Sequence, residues 1–279
     1  NFNDSWSQII NLQSGPDGAV YMIDWYDKNQ CHHTDANGHD RSNGRIFKVS
    51  YGETKFEKVD LQKLSDGELV KLLASKNNWQ ARHAQRILQE RSIEGGRLTG
   101  GDRLISDQQT ANYIASKLVE LLNTTPGKVV RLRALWTLHV VDDAFTPLKP
   151  FLNDVDEFVR AWTIQLLCQE ISEQEIDRWP KTLDQLKRLA REDKSPVVRL
   201  YLASAVQRLP LENRWEIVEA LWSHAEDAND PNLPLMYWYA AEPIIAQDTT
   251  KALALLKKTK IPLLRQFLSR RVTALSAVE

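Results

Sequence analysis

Asp154–Glu170 reads DVDEFVRAWTIQLLCQE. Val155, Phe158, Val159, Trp162, Leu166 and Leu167 recur at three- and four-residue intervals, the spacing that gathers side chains on one face of an α-helix. Asp156, Glu157, Gln165 and Gln169 fall largely elsewhere, so the stretch predicts an amphipathic helix with a wide apolar stripe. Its motif is two apolar positions, an Arg and then an apolar run. The motif returns as Val129-Val130-Arg131, Val197-Val198-Arg199 and Leu263-Leu264-Arg265, with Trp79-Gln80-Ala81-Arg82 as a looser first copy. From Arg82 through Arg131 and Arg160 to Arg199 the arginines advance by 49, 29 and 39 residues, then by 66 to Arg265, which leaves room for a divergent copy near Leu235. A loose repeat of this length, built of helices and short turns, predicts a mainly α chain in which stacked helical pairs each complete their core against the next.

The bulk properties fit such a chain and exclude several classes. At 279 residues and 42 % apolar it is long enough to bury a core. Thirty-six basic residues nearly cancel 37 acidic ones, so no global field recruits nucleic acid or an acidic membrane surface. No run of about 18 apolar residues is present to span a bilayer. The opening NFNDSWSQ is polar and lacks the features of a signal peptide, which reads as an excised or processed piece. Two cysteines, Cys31 and Cys168, cannot make a disulfide framework, and Cys168 reads as a buried thiol in an apolar helix.

Three regions are predicted: a small sheet in 1–51, a charged linker in 52–61 and the helical repeats in 62–279. Ser7–Leu12, Ala19–Asp24 and Arg45–Ser50 are short runs rich in β-branched or aromatic residues, set off by the turns Gly15-Pro16-Asp17-Gly18 and Ser42-Asn43-Gly44. They predict a three-stranded antiparallel sheet with a long polar connection, Trp25–Asn43. Ser65-Asp66-Gly67-Glu68 predicts a capped helix start, through Leu73, followed by a helix from Asn77 or Asn78 to Arg91. Ile93–Leu104, with four glycines, predicts a flexible connection. The remaining helices pair as 107–123 with 127–141, 144–152 with 154–171, 173–192 with 196–209, 211–225 with 233–246, and 249–257 with 262–277. The whole makes about five to six pairs. Pro180 and Pro243 lie inside apolar patterns and predict a kink or break.

Gly15-Pro16-Asp17-Gly18-Ala19-Val20-Tyr21, then Asp24-Trp25-Tyr26 and Asp40-Arg41-Ser42-Asn43-Gly44-Arg45-Ile46-Phe47-Lys48-Val49, resemble the last β-propeller blade of PVC-type membrane-bound dehydrogenases. Asp230-Pro231-Asn232-Leu233-Pro234-Leu235-Met236-Tyr237-Trp238-Tyr239, ending at Glu242-Pro243, resembles a recurring segment of that family's helical part. The resemblance implies a partial propeller blade at 1–51 and a HEAT-like α-solenoid at 62–279. It further implies an extracytoplasmic, periplasmic setting, a sugar-dehydrogenase-like parent with a quinone cofactor and calcium, and a cytochrome c module with its haem. The partners it implies are the remaining propeller blades and that module. The chain departs from the pattern where it matters chemically. It carries no Cys-x-x-Cys-His, and ligands for a quinone and its calcium would come from several blades rather than one.

Three groups of residues are candidate sites. Cys31, His32 and His33, near Asp35, Asn37, His39 and Asp40, form the densest cluster of possible ligands. Zinc or haem would draw on Cys31 and a histidine, while calcium would use oxygen donors from Asp35, Asn37 and Asp40. A polar loop whose Asp and Asn side chains bond their own backbone is the competing reading. Arg82, Arg131, Arg160, Arg199 and Arg265 read either as an anion-binding ladder or as structural links, each bonding an acid near Asp154, Asp156 or Asp193, or a helix-end carbonyl. Trp79, Trp136, Trp162, Trp222 and Trp238 fall on apolar stripes and predict core or inter-repeat packing, with Trp6 and Trp25 as candidates for the contact between sheet and solenoid. The basic clusters Lys187-Arg188-Arg191, Lys257-Lys258-Lys260 and Arg270-Arg271 read as solvated outer faces rather than a nucleic-acid groove.

The function expected from these features is a non-catalytic structural and docking segment of a large exported redox protein. The alternative is an independent HEAT-like scaffold that binds a protein or peptide without nucleic acid. Asp/His chemistry in the Trp25–Asn43 loop is the third reading.

Overall fold

A computed structural model describes residues 3–28, 34–38, 40, 42–52, 58–97, 105–141, 147–169 and 179–277. These residues form two compact units, Asn1–Lys117 and Leu118–Glu279. The architecture is that of a mainly α, repeat-built protein with one small sheet: among the described residues it has eleven α-helices and three strands.

In the first unit β1 (Ser7–Ser14), β2 (Val20–Tyr26) and β3 (Arg45–Val49) form an antiparallel sheet in the order β1-β2-β3. Pairs such as Leu12 with Met22 and Met22 with Phe47 fix the register, and a bulge lies between Ile9 and Asn11. The first turn is held chemically. Gly18 takes φ +80, and a Cβ on Gly15 would collide with the Tyr21 ring. Asp17 accepts from the Ala19 N–H at 3.1 Å and the Tyr21 hydroxyl at 3.1 Å, and pairs with Lys48. Chiefly through the bond from Lys48, its carboxyl is held at about 2. On one face Asp24 is buried and accepts from Ser7, the Gln8 N–H and Arg45. Apolar side chains remain exposed on both faces: Ile23, Trp25 and Ile46 on one, Leu12, Val20 and Val49 on the other.

The helices of this unit begin at α1 (Asp66–Leu72), where Ser65 and Glu68 form a capping box. Then come α2 (Asn78–Arg97) and α3 (Ile105–Thr124). The helix α2 runs to Arg97, so the predicted connection at 93–104 is helical in its first part, and 98–104 lie outside the described residues. The core of this unit comprises Leu69, Leu73, Ala84, Leu88, Ala111 and Ile114.

In the second unit the helices are α4 (Lys128–Val141), α5 (Glu157–Gln169), α6 (Pro180–Glu192), α7 (Pro196–Val206), α8 (Trp215–Trp222), α9 (Leu233–Ile245), α10 (Thr249–Lys258) and α11 (Pro262–Ser276). They pack in two rows: α4, α5, α7, α9 and α11 in one, α6, α8 and α10 in the other. This is the geometry in which each helical pair lends its apolar side to the next. Pro180, Pro196 and Pro262 each sit in the first turn of a helix, where the missing N–H had no intrahelical partner to lose. Pro243 lies inside α9, which continues two residues past it; so near the helix end its missing N–H removes only one late bond.

Two expectations are corrected here. The helix predicted at 144–152 is, in its described part, a five-residue 3-10 segment, Lys149–Asn153, because Pro147 and Pro150 remove two donors that an α-helix would need. Val155, read as part of the α5 stripe, precedes the helix and is 93 % exposed, while Ala161, Ile164 and Cys168 extend the buried surface around α5. α5 is flanked on its own row by both α4 and α7, so more than one stripe is covered.

Ser195 caps α7, accepting from the Val198 N–H at 3.3 Å while its hydroxyl donates to Glu157 at the start of α5. Replacing it with Ala removes both bonds. The Ser195→Ala variant is expected to lose about 1–2 kcal/mol of stability, measured by urea unfolding, with an unchanged m-value.

Candidate functional site

The repeat arginines set the spacing of the row that carries the site. Arg131 reaches forward to Asp154 at 2.5 Å and back to the Leu122 carbonyl at 3.0 Å. Arg160 binds Asp193 with both edges of its fork, at 2.7 and 2.9 Å, and donates to the Asp154 carbonyl at 2.8 Å. Arg199 repeats this with Asp227, at 2.7 and 2.5 Å, and with the Asp193 carbonyl at 3.0 Å. Each guanidinium thus joins its own repeat to the following one through charge-assisted bonds. The last link is the most buried, and the Tyr237 hydroxyl donates to Asp227 at 2.6 Å. Burial, then the carboxylate it faces, pushes the Tyr237 phenol up. Asp193 holds the Arg160 guanidinium more firmly protonated.

Arg82 and Arg265 do not take part. Both are exposed, and neither meets an acid among the described residues. In α9 the position six residues after Asp230 holds Met236, where Arg199 stands six residues after Asp193. The divergent copy near Leu235 therefore offers a thioether in place of a guanidinium.

Met236 lies in the wall of a groove. Helices α5, α7 and α9 line a cavity of about 550 Å3, with Trp162, Gln165 and Gln169 from the first, Leu200, Tyr201 and Ser204 from the second, and Leu235, Met236 and Tyr239 with Asn232 from the third. Among the described residues no charged side chain lines it. Aromatic rings run along the row: Trp136 and Trp162 meet edge-on at 5.1 Å and 78°, and Trp162 meets Tyr201 at 5.7 Å. Burial raises the Tyr201 phenol above its usual range. The Trp136 indole N–H is buried without a hydrogen-bond partner among the described residues. Apolar rings and a thioether give contact area, and the amides of Gln165, Gln169 and Asn232 can both donate and accept, which suits an extended peptide backbone.

The tryptophans divide by burial. Trp222 is fully buried, whereas Trp79, Trp136, Trp162 and Trp238 are half-buried, and Trp25 is exposed with its N–H on Asp27. Three- and four-residue spacing does not single out Tyr201, Met236 and Tyr239 as a site, because it marks which residues are apolar, not which of them the neighbouring helix leaves uncovered.

The polar loop places its carboxylates on its own chain. Asp35 accepts from the Asn37 N–H at 2.9 Å, and Asp40 from the Ser42 N–H at 3.0 Å and hydroxyl at 2.6 Å, which lowers the Asp40 carboxyl. Cys31, His32, His33 and His39 lie outside the described residues. Among the described residues no group of three His, Cys, Asp or Glu side chains is placed to share a metal ion. Of the basic clusters, Lys187 pairs with Glu216 at 2.7 Å, Lys258 with Glu219, and Arg188 donates to Asn153.

Cys168 is wholly buried, and that burial pushes its thiol up to about 12. Iodoacetamide at pH 8 is expected to leave the Cys168 peptide unmodified in the native protein and to label it fully in 6 M guanidinium, read by peptide mass mapping.

The class this architecture defines is the helical-repeat, or α-solenoid, proteins. No protein-family model matches the sequence, and no curated protein matches it. Solved structures similar to the chain include a designed armadillo repeat protein, YIII(Dq)4CqI, with TM-score 0.44 and 18 % identity over 76 % of this chain and 98 % of that one. A second, YIII(Dq.V1)4CPAF in complex with peptide (KR)4, has TM-score 0.45 and 17 % identity with the same coverage. No helix among the described residues is long and apolar enough to cross a membrane.

Proposed function

We propose that this chain is a non-catalytic helical-repeat scaffold whose α5–α7–α9 groove binds an extended segment of a partner protein. The observation that carries the reading is the groove itself, uncharged, aromatic along its length and edged with amides. Interface hot spots are built of such rings, and an extended backbone needs such amides. Panning a displayed library of dodecapeptides against the protein tests it. Enriched peptides rich in aliphatic and aromatic residues are expected, binding the Tyr201→Glu Tyr239→Glu variant about thirtyfold or more weakly. Failure to enrich any peptide, or equal binding to that variant, would overturn the reading.

At a finer level, we propose that the scaffold serves a large periplasmic redox protein resembling the PVC-type membrane-bound dehydrogenases, whose other blades and cytochrome c module are its partners. The sheet supports this, since its apolar side chains are exposed on both faces, and a propeller blade is covered on both faces by its neighbours. In that reading the quinone, calcium and haem belong to parts of the parent other than these residues, and this chain holds those parts in position. Coding sequence on either side that encodes further blades and a Cys-x-x-Cys-His module is the expected finding; flanking sequence of unrelated type would remove this parent.

A further inference from the structure

The start of α2 is clasped to the turn between β1 and β2. Asn77 Nδ2 donates to the Gly15 carbonyl at 3.1 Å and the Pro16 carbonyl at 2.9 Å, and Gln80 Nε2 donates to the Pro16 carbonyl at 3.3 Å. The clasp leaves a groove of about 620 Å3 between the end of β1 and the helix, bordered by Leu12, Gln13 and Ser14 on the strand and Trp79, Arg82 and Arg86 on α2. Successive strand side chains point to opposite faces, yet three consecutive residues border the groove, so it follows the edge of β1. That edge is open: β1 pairs only with β2, and its outer N–H and C=O groups have no strand partner among the described residues.

Positive charge stands over the open edge. Arg82 and Arg86 lie one turn apart on α2, and among the described residues no Asp or Glu lines the groove. Arg82 is exposed, with no acid or carbonyl partner among the described residues, while Arg86 is shared with Glu90 at 2.7 Å. His83 stacks on Trp79 at 3.9 Å, adding a flat wall beside the arginines.

We infer that the β1 edge is a second docking site, which takes an extended acidic segment of a partner protein as an added strand. Backbone bonds to β1 hold any extended chain, and the two guanidinium groups select the one whose side chains are carboxylates. A lysine-bearing strand is rejected by the same charges. The site is separate from the α5–α7–α9 groove and does not depend on it.

The test uses the intact chain and a labelled dodecapeptide of alternating Val and Glu. Binding is expected to weaken with added salt and to fall about tenfold in the Arg82→Glu Arg86→Glu variant. Circular dichroism checks that this variant keeps its helix, and Arg82→Gln Arg86→Gln serves as the milder substitution. N-methylation of alternate peptide amides should abolish binding, the Val-Lys counterpart should not bind, and hydrogen exchange should slow at Leu12–Ser14. The inference is overturned by absent binding of the Val-Glu peptide, by equal binding to both arginine variants, or by protection that appears elsewhere. It is also overturned if the chain self-associates through β1 and the peptide does not compete, for then the occupant is a second copy.

Discussion

Replacing Asp227 with Ala is expected to cost about 3–5 kcal/mol and to lower Tm by about 10 °C. Asp227 is buried, takes both edges of the equally buried Arg199 fork and accepts from Tyr237. Removing it strands a guanidinium and a hydroxyl in an interior that cannot hydrate them. The loss comes from the groups left behind more than from the pair itself. Removing all three partners together, as Arg199→Met Asp227→Leu Tyr237→Phe, should therefore cost far less than Asp227→Ala alone. Asp154→Ala should cost less than Asp227→Ala, because Arg131 is more open to solvent. Thermal melts of the four proteins, followed by circular dichroism, check the order. Equal losses at Asp227 and Asp154 would contradict it.

The second large effect is expected at Trp222. It is 0 % exposed, among the largest fully buried side chains described, and its indole N–H donates to the Tyr237 carbonyl at 3.2 Å. Trp222→Ala leaves a cavity between α8 and α9 and removes the indole bond to the Tyr237 carbonyl, a change expected to cost about 3–5 kcal/mol. Trp222→Phe keeps most of the apolar volume and should lose less than half of that. Trp238→Ala, at a half-buried site against Phe267, should fall well below either. Because repeats are stabilised through nearest neighbours, loss at Trp222 is expected first in hydrogen exchange of α8 and α9, before α4.

Much of this fold was legible in the residues that repeat. The motifs of two apolar residues and an Arg located α4, α5 and α7 because a helix needs both its apolar spacing and its neighbour. Gly15-Pro16-Asp17-Gly18 located the turn because Gly18 takes a left-handed φ that glycine adopts without strain. Other features depend on contacts that no local pattern encodes. Asp227 pairs with Arg199 across 28 residues, through a 3-10 segment at Ala225–Asn229 that shifts the acid three positions from Asp230. Arg82 and Arg265 carry the same motif but meet no acid among the described residues, since pairing depends on what the next repeat places opposite. The groove was the least legible part. Trp162 reads as core or inter-repeat packing from spacing, and only the packing of α5 on α7 and α7 on α9 shows which side of its ring, and of the Tyr201 ring, stays open.

The central claim is that the α5–α7–α9 face holds an extended partner segment. Hydrogen–deuterium exchange of the protein with and without a peptide selected by panning tests it most directly. The account predicts slowed exchange confined to α5, α7 and α9, lost on Tyr201→Glu Tyr239→Glu. Protection confined to α6, α8 and α10, or none at saturating peptide, would contradict it.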